Sequence, residues 1–264
     1  MSGTRLHSHA APVTDLNAKP TLLIVAHGER GGAGDDQFVH RLVNSLQRLP
    51  QYASVRTCFI SKEPSLSRVF KGLPPGPVVI YPLFMSDGYF VKQAIPRSIE
   101  MDGAKIGAEP ERHPAVILTP VGLNPHLPRL VANLVERTAR DLYLPMRDCH
   151  LLLAAHGSKH DGASRRATLA VAEALKKEGT VAGIEVGFLE EQPFLDDQIT
   201  KIKGPVIAVG LFASEGMHGA IDLPESVRRS GRNDVSLSPP ITQGEGLMGL
   251  ICNDLASVAL TNRS

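Results

Sequence analysis

Short apolar runs rich in branched residues recur along the chain, and each is followed by a segment whose apolar positions have helical spacing. The runs occupy positions 22–26, 54–60, 77–84, 151–155, 183–189 and 205–212. Nearly continuous apolar runs of this length are typical of strands that are buried on both faces of a parallel sheet. The alternation with helical segments therefore predicts an α/β fold.

The second group of three runs repeats the first. Ala26-His27-Gly28 and Ala155-His156-Gly157 stand 129 positions apart, whereas Ile95-Pro96 and Leu223-Pro224 stand 128 positions apart. Ordered agreement with a gain or loss of one residue indicates an internal duplication. The sequence thus predicts two similar doubly wound parallel-sheet domains.

The junction between the two copies falls near Pro145, a residue type that suits a linker. We expect a first half over residues 20–145 and a second half over residues 146–264, each forming one domain. Residues 1–19 contain no apolar core of the kind a secretory signal needs, and they predict a disordered leader.

The two halves differ in the side chains that they place after their strands. Each of the three polar positions of the second half follows one of its strands, and the residues are His156, Glu190 and His218. The first half has His27, Ser61 and Phe90 at the corresponding positions. The second half alone therefore has the complete set, and the site of the first half is degenerate.

The three polar residues of the second half are expected to meet, because the carboxyl ends of parallel strands face one crevice where ligands bind. Two imidazoles and a carboxylate suit Co²⁺, Fe²⁺, Ni²⁺ or Zn²⁺, and three protein ligands leave positions open for exchange. The same groups can accept protons. We predict His156, Glu190 and His218 as both the metal ligands and the catalytic residues.

Two positions stay open at this point. His27 lacks partner ligands in its own half, so a structural or substrate-facing role is as compatible with the sequence as metal binding. Glu191 can share or replace the role of Glu190, although adjacent residues at a strand end point to different sides, which favours Glu190.

Composition excludes several classes of function. Twenty-eight Lys and Arg residues balance 27 Asp and Glu residues, so no bulk charge favours nucleic acid or a membrane surface. No G-x-G-x-x-G or G-K-[ST] motif predicts a nucleotide cofactor. Three widely separated cysteines, Cys58, Cys149 and Cys252, form no disulfide framework and suggest a reducing cytoplasm.

Three segments of the second half resemble the motifs of one family. Ala155-His156-Gly157-Ser158, Gly187-Phe188-Leu189-Glu190 and the run from Leu211 to His218, with Asp222-Leu223-Pro224 behind it, resemble the sirohydrochlorin cobaltochelatase/ferrochelatase family, the class II chelatases. The resemblance covers nearly the whole chain after the leader. The segment of the first half that corresponds to His218–Pro224 is Phe90-Val91-Lys92-Gln93-Ala94-Ile95-Pro96. It lacks both the histidine and the acidic residue of the motif.

The resemblance implies a metal chelatase that holds a tetrapyrrole in the cleft between its two domains. His156 and His218 match the metal-binding positions of the family, and Glu190 matches its acidic position. The implied reaction is insertion of Co²⁺ or Fe²⁺, with Ni²⁺ and Zn²⁺ as further possibilities, into sirohydrochlorin or a near relative, in siroheme or cobalamin biosynthesis. No cofactor is implied beyond the substrate metal, and the oligomeric state is not predicted.

Two alternatives remain at the level of the sequence. A non-catalytic metal or tetrapyrrole carrier would use the same histidines without turnover. A hydrolase or phosphoryl-transfer enzyme with a nucleophilic His27 or His156 is disfavoured, because alanine stands where histidine phosphatases have an arginine. Because sirohydrochlorin carries carboxylates, Arg30, Lys159, Arg165 and Arg166 are candidates for binding its rim.

Overall fold

The fold is that of a computed structural model, whose described residues are 18–28, 35–100, 113–213, 221–243 and 246–261. The first 17 residues of the predicted leader and His218 of the predicted site lie outside these ranges. Within them, no helix combines the length and the hydropathy that crossing a membrane requires.

A four-stranded parallel sheet carries the first half. Its strands are β1 (Thr21–Ala26), β2 (Ser54–Phe59), β3 (Val78–Pro82) and β4 (Ala115–Ile117), in the order β2-β1-β3-β4. The helices are α1 (Asp35–Leu46), α2 (Leu66–Lys71), α3 (Ile95–Glu100) and α4 (Leu127–Asp141). A π-helical turn, Phe90–Ala94, leads directly into α3.

The second half repeats this plan. Its strands are β5 (His150–Ala155), β6 (Gly183–Phe188), β7 (Val206–Gly210) and β8 (Val235–Leu237), in the order β6-β5-β7-β8. Its helices are α5 (Ala163–Lys176), α6 (Leu195–Lys201), α7 (Leu223–Arg229) and α8 (Gly246–Thr261). The two parallel sheets with flanking helices confirm the predicted α/β class and the two similar doubly wound units.

The central strands are apolar apart from Thr21 and His150 at their starts, because both faces of each sheet are covered. On β1, Leu22 and Ile24 join one hydrophobic cluster, whereas Leu23 and Val25 join another on the opposite face. The first of these clusters also contains Leu153 on β5. The inner faces of the two sheets therefore share one continuous core.

The last helix of each half packs on the other half. Helix α4 contacts β7 and α5, and helix α8 contacts α1. The phenol of Tyr81 on β3 donates a hydrogen bond to the Asp254 carboxylate on α8 (3.3 Å), and the phenol of Tyr52 donates to the Leu255 carbonyl on α8 (3.0 Å). The domain boundary near Pro145 stays a prediction. Because α4 packs on the second half and α8 packs on the first, this exchange of helices holds the two units together.

The hydrophobic pattern of the sequence did not predict two of the strands. β4 and β8 are three-residue edge strands with partly exposed side chains, too short and too mixed in polarity for an apolar run. Helix α7 begins at Leu223, with Pro224 in its first turn, where a missing N–H costs nothing.

Replacing Tyr81 by phenylalanine is expected to lower the free energy of unfolding by about 1–3 kcal/mol, because the partly buried Asp254 carboxylate loses a donor. Urea denaturation would measure the change. Tyr52→Phe is the matched control, and it should cost about 1 kcal/mol because its acceptor is a neutral carbonyl. Equal losses in both variants would contradict a special role for the bond to Asp254.

The same tyrosines predict a loss of stability at alkaline pH. Burial, and secondarily the Asp254 carboxylate, raises the pKa of Tyr52 to about 12, and the same two causes raise the pKa of Tyr81. Above pH ~10 the unfolded phenols release protons that the folded protein retains, so the free energy of unfolding falls as pH rises from about 10 towards 12. The variant Tyr52→Phe/Tyr81→Phe should show a flatter profile.

Candidate active site between the two halves

The two halves hold His27 and His156 on the same backbone scaffold. Each histidine directly follows the central strand of its sheet. The Ser61 amide donates to the His27 carbonyl (2.9 Å), and the Glu190 amide donates to the His156 carbonyl (3.0 Å). The predicted pairing of Glu190 with His156 is therefore built into the backbone where β5 and β6 end.

A glycine is required after each histidine, because the backbone φ is positive there and neighbouring side chains leave no room for a Cβ atom. Gly28 and Gly157 have φ values of +79° and +77°. A Cβ atom on Gly157 would lie 2.8 Å from Cγ of Glu191 and 3.0 Å from Cβ of Phe188. The His-Gly pair thus lets the chain turn sharply while the neighbouring strand end stays in contact.

Replacing Gly157 by alanine is expected to destabilise the protein by about 3 kcal/mol, since left-handed strain adds to overpacking. Gly179→Ala is the matched control, because Gly179 has φ +62° but open space around its Cβ position. It should cost only about 1–2 kcal/mol. Chemical denaturation of both variants separates the two effects, and equal costs would show that the contact with Glu191 is unimportant.

His156 has a defined tautomer in its neutral form. Its Nδ1 atom lies 3.2 Å from the Gly157 carbonyl oxygen, which can only accept a hydrogen bond. Nδ1 therefore carries the proton and Nε2 carries the lone pair. Fixing one ring nitrogen in this way is how proteins prepare the other for a metal or a proton.

The two adjacent glutamates have different surroundings. The Glu191 carboxylate forms an ion pair with Arg165 (2.8 Å) and accepts a hydrogen bond from the Ser158 amide (3.1 Å). Its side chain is only 14% exposed, so it fixes the loop after His156. Glu190 is exposed and lines the cleft between the halves. The opposite directions of adjacent side chains at a strand end had likewise favoured Glu190 over Glu191 as the site residue.

A cleft of about 760 Å³ opens between the carboxyl ends of the two sheets. Side chains of the second half that can carry charge line it, and they are His156, Lys159, His160, Asp161 and Glu190. The first half contributes apolar side chains and rings, among them Val39, Phe59, Phe84, Tyr89 and Phe90. The wall from the first half, called the apolar wall below, therefore carries most of the aromatic rings, and the wall from the second half carries these charged groups together with the apolar residues Leu211, Phe212 and Ala213.

His27 also lines this cleft, in a different setting from His156. Its Nε2 atom lies 3.3 Å from the Ser61 hydroxyl oxygen, and its ring meets the Phe90 ring edge to face at 4.8 Å between centroids. Ser61 and Phe90 thus contact the histidine at the positions that correspond to Glu190 and His218.

Asp161, which sequence reasoning missed, connects the two walls. Its carboxylate accepts hydrogen bonds from the Ala163 amide at the start of α5 (2.8 Å) and from the Tyr89 amide of the first half (3.2 Å). A Cβ atom on Gly88 would lie 3.1 Å from this carboxylate. Only the spacing Asp161–Ala163 is visible in the sequence, because the contact with Tyr89 is long-range.

The candidate residues for substrate carboxylates differ in their surroundings, and Arg30 lies outside the described residues. Arg165 is held by Glu191 and the Gln192 carbonyl, and its guanidinium lies over the Phe188 ring. Arg166 is exposed and does not line the cleft, whereas Lys159 and the unpredicted His160 do. The cleft geometry therefore favours Lys159 and His160 for contact with an anionic ligand.

The complete metal-ligand set stays a prediction. In the parts of the chain that the structure describes, no three His, Cys, Asp or Glu side chains are grouped closely enough to hold a metal ion. His218 lies outside those parts. His156 and Glu190 both line the cleft, at adjoining strand ends.

Fold and cleft together define a two-module α/β protein of the chelatase type, with a ligand-sized cleft at the carboxyl ends of both sheets. The model of the CbiX family matches the chain twice, over residues 21–138 and 150–257. The chain belongs to the CbiX family. The double match fits the internal duplication.

Known proteins with the same architecture include enzymes of tetrapyrrole metabolism. The probable sirohydrochlorin cobaltochelatase of Halobacterium salinarum is 25% identical over 77% of this chain and 75% of its own length. The structure of CbiX, the terminal enzyme for biosynthesis of siroheme in denitrifying bacteria, matches with a TM-score of 0.73 and 29% identity over 90% of this chain and 98% of its own.

A more distant structure shares the fold. SirB from Bacillus subtilis with Fe³⁺ matches with a TM-score of 0.73 over 93% of this chain and 97% of its own, at 18% identity. Nearly complete coverage of these chains indicates that the whole two-sheet arrangement is shared.

Proposed function

We propose that this protein inserts a divalent metal, Co²⁺ or Fe²⁺, into sirohydrochlorin or a closely related tetrapyrrole. The observation that carries the proposal is the cleft between the halves, which His156 and Glu190 line from adjoining strand ends of a CbiX-family fold. Its volume of about 760 Å³ falls within the range of small-molecule and cofactor sites.

The reaction requires a cation to be delivered and protons to be removed. Binding of a divalent metal by the macrocycle breaks two pyrrole N–H bonds, forms bonds from nitrogen to metal and releases two protons, with no transfer of electrons. His156, through the lone pair on Nε2, and Glu190 are proposed to bind the incoming cation with His218. Once the cation has passed to the macrocycle, the lone pairs that held it can accept the released protons. No further cofactor takes part in this proposal.

The nitrogen and oxygen donors suit several late divalent metals, and Ni²⁺ and Zn²⁺ bind such sites as well. The names of the relatives include both cobaltochelatase and siroheme biosynthesis, so we propose a role in the cobalamin or the siroheme pathway.

The proposed partners are the tetrapyrrole and the metal ion alone, without nucleic acid or membrane. We also propose a reducing, cytoplasmic location. Cys58, Cys149 and Cys252 are all free thiols, and burial raises the pKa of Cys58 to about 12, which keeps that thiol protonated and inert.

Anaerobic absorbance spectroscopy of sirohydrochlorin mixed with Co²⁺ or Fe²⁺ tests the function. We expect wild-type protein to accelerate the appearance of the metallated spectrum, whereas His156→Ala/His218→Ala should match a blank without protein. Equal rates in all three samples would exclude catalysis with this substrate. Tight binding of the tetrapyrrole without acceleration would instead favour the carrier.

A further inference from the structure

Aromatic side chains of the first half form one connected cluster on the apolar wall of the cleft. The Phe84 and Phe90 rings are stacked, with 5.5 Å between centroids and 17° between planes. Tyr89 meets the Phe90 ring edge to face at 5.6 Å, and His27 does so at 4.8 Å. Phe90 therefore lies at the centre of the cluster.

This cluster is not closed hydrophobic core. Phe84 and Phe90 are only half-buried, and Tyr89 is 47% exposed, while all three line the cleft. Adjacent apolar rings that stay open to solvent in a cleft mark a binding surface for an apolar or aromatic ligand. A flat ligand would remove ring surface from water without any rearrangement of the core.

The local backbone holds these rings in place. Phe90 begins the π-helical turn Phe90–Ala94, an irregularity that is frequent at functional sites. The Tyr89 amide is bound by the carboxylate of Asp161, which also caps the start of α5. The apolar wall is thus fixed directly to the loop that follows His156.

We propose that Phe84, Tyr89 and Phe90 form a platform, an apolar surface of ring faces and ring edges against which one face of the tetrapyrrole packs, so that its other face is presented to His156 and Glu190. The proposal rests on the proposed function and adds a role for the degenerate half. Phe90 stands at the position that corresponds to His218, so the first half has the central ring of the platform where the second half has a predicted ligand. Metal then approaches from the second half only.

The platform makes a prediction that separates binding of the tetrapyrrole from binding of the metal. In Phe90→Leu, volume and hydrophobicity are largely kept but the ring is lost. We expect Kd for metal-free sirohydrochlorin, and KM for it, to rise about tenfold, with KM for Co²⁺ within about twofold of wild type. Phe90→Tyr keeps the ring and should restore affinity to within about twofold of wild type.

The experiment is an anaerobic absorbance titration of each variant with metal-free sirohydrochlorin, followed by initial rates with either substrate varied. Wild-type affinity in Phe90→Leu, or a loss in Phe90→Tyr as large as in Phe90→Leu, would overturn the platform while leaving the chelatase intact. Failure of wild-type protein to bind the tetrapyrrole or to accelerate insertion would instead overturn the proposed function.

A second pair of variants, at Tyr89, tests the platform even if the Phe90 variants misfold. Tyr89 is about half exposed, so Tyr89→Leu and Tyr89→Phe should fold like wild type. We expect about threefold weaker tetrapyrrole binding in Tyr89→Leu and unchanged binding in Tyr89→Phe, because the ring and not the hydroxyl makes the contact. Unchanged binding in both would contradict the platform.

Discussion

His156→Ala is expected to lower kcat/KM for metal insertion by about 10²–10⁴-fold, the range seen when a residue that transfers protons in the reaction is removed. The imidazole follows β5 directly, lines the cleft and has its Nδ1 atom fixed by the Gly157 carbonyl. The loss should appear at subsaturating metal in the anaerobic absorbance assay, and equilibrium binding of metal-free tetrapyrrole should change far less.

His150→Ala is the matched control for this prediction. His150 lies at the opposite end of the same strand, where its ring contacts Glu185, and it does not line the cleft. Its loss removes the same residue type from β5 without touching the site, so turnover should stay within about twofold of wild type. Equal loss in both variants would indicate a general effect on the fold, and full turnover in His156→Ala would refute the assignment.

Glu190→Gln is expected to lower kcat by about 10²-fold with little change in stability. The carboxylate is exposed in the cleft, and its amide substitute cannot take up a proton and is a weaker metal ligand. Steady-state kinetics in the insertion assay, together with urea denaturation of the same preparation, would measure both quantities.

The neighbouring Glu191→Gln should show the opposite pattern. Its carboxylate holds Arg165 and the Ser158 amide, so the substitution is expected to lower the free energy of unfolding by about 1–3 kcal/mol. Its effect on kcat should be smaller than that of Glu190→Gln and should arise through the loop after His156. A larger catalytic loss in Glu191→Gln would show that the two roles are reversed.

The hydrophobic pattern along the sequence was sufficient to predict most of the strands and the presence of two similar sheets. Four of the strands, β1, β3, β5 and β7, are nearly continuous apolar runs, and their burial on both faces explains that composition. The repeated Ala-His-Gly segments correctly indicated two equivalent sheets. Strand order places the ends of β5 and β6 side by side, so the pairing of His156 with Glu190 was also predictable.

The different roles of Glu190 and Glu191 were only partly predictable. Alternation along a strand favours opposite directions for adjacent side chains, which supported Glu190. It does not reveal that Arg165 on α5 neutralises Glu191, because that contact depends on how the helix packs beside the strand end.

The sequence by itself determined the α/β class, the duplication and the polar residues that follow the strands of the second half, since each depends on local hydrophobic periodicity or on comparison of the two copies. The tertiary structure alone decided the exchange of α4 and α8, the bond from Tyr89 to Asp161 and the gathering of Phe84, Tyr89 and Phe90 on one wall of the cleft. The exchange and the bond join residues far apart in the chain and follow from how the two units pack against each other, which no local pattern encodes. The three rings are close together in the sequence, but that they line the cleft is decided by the fold.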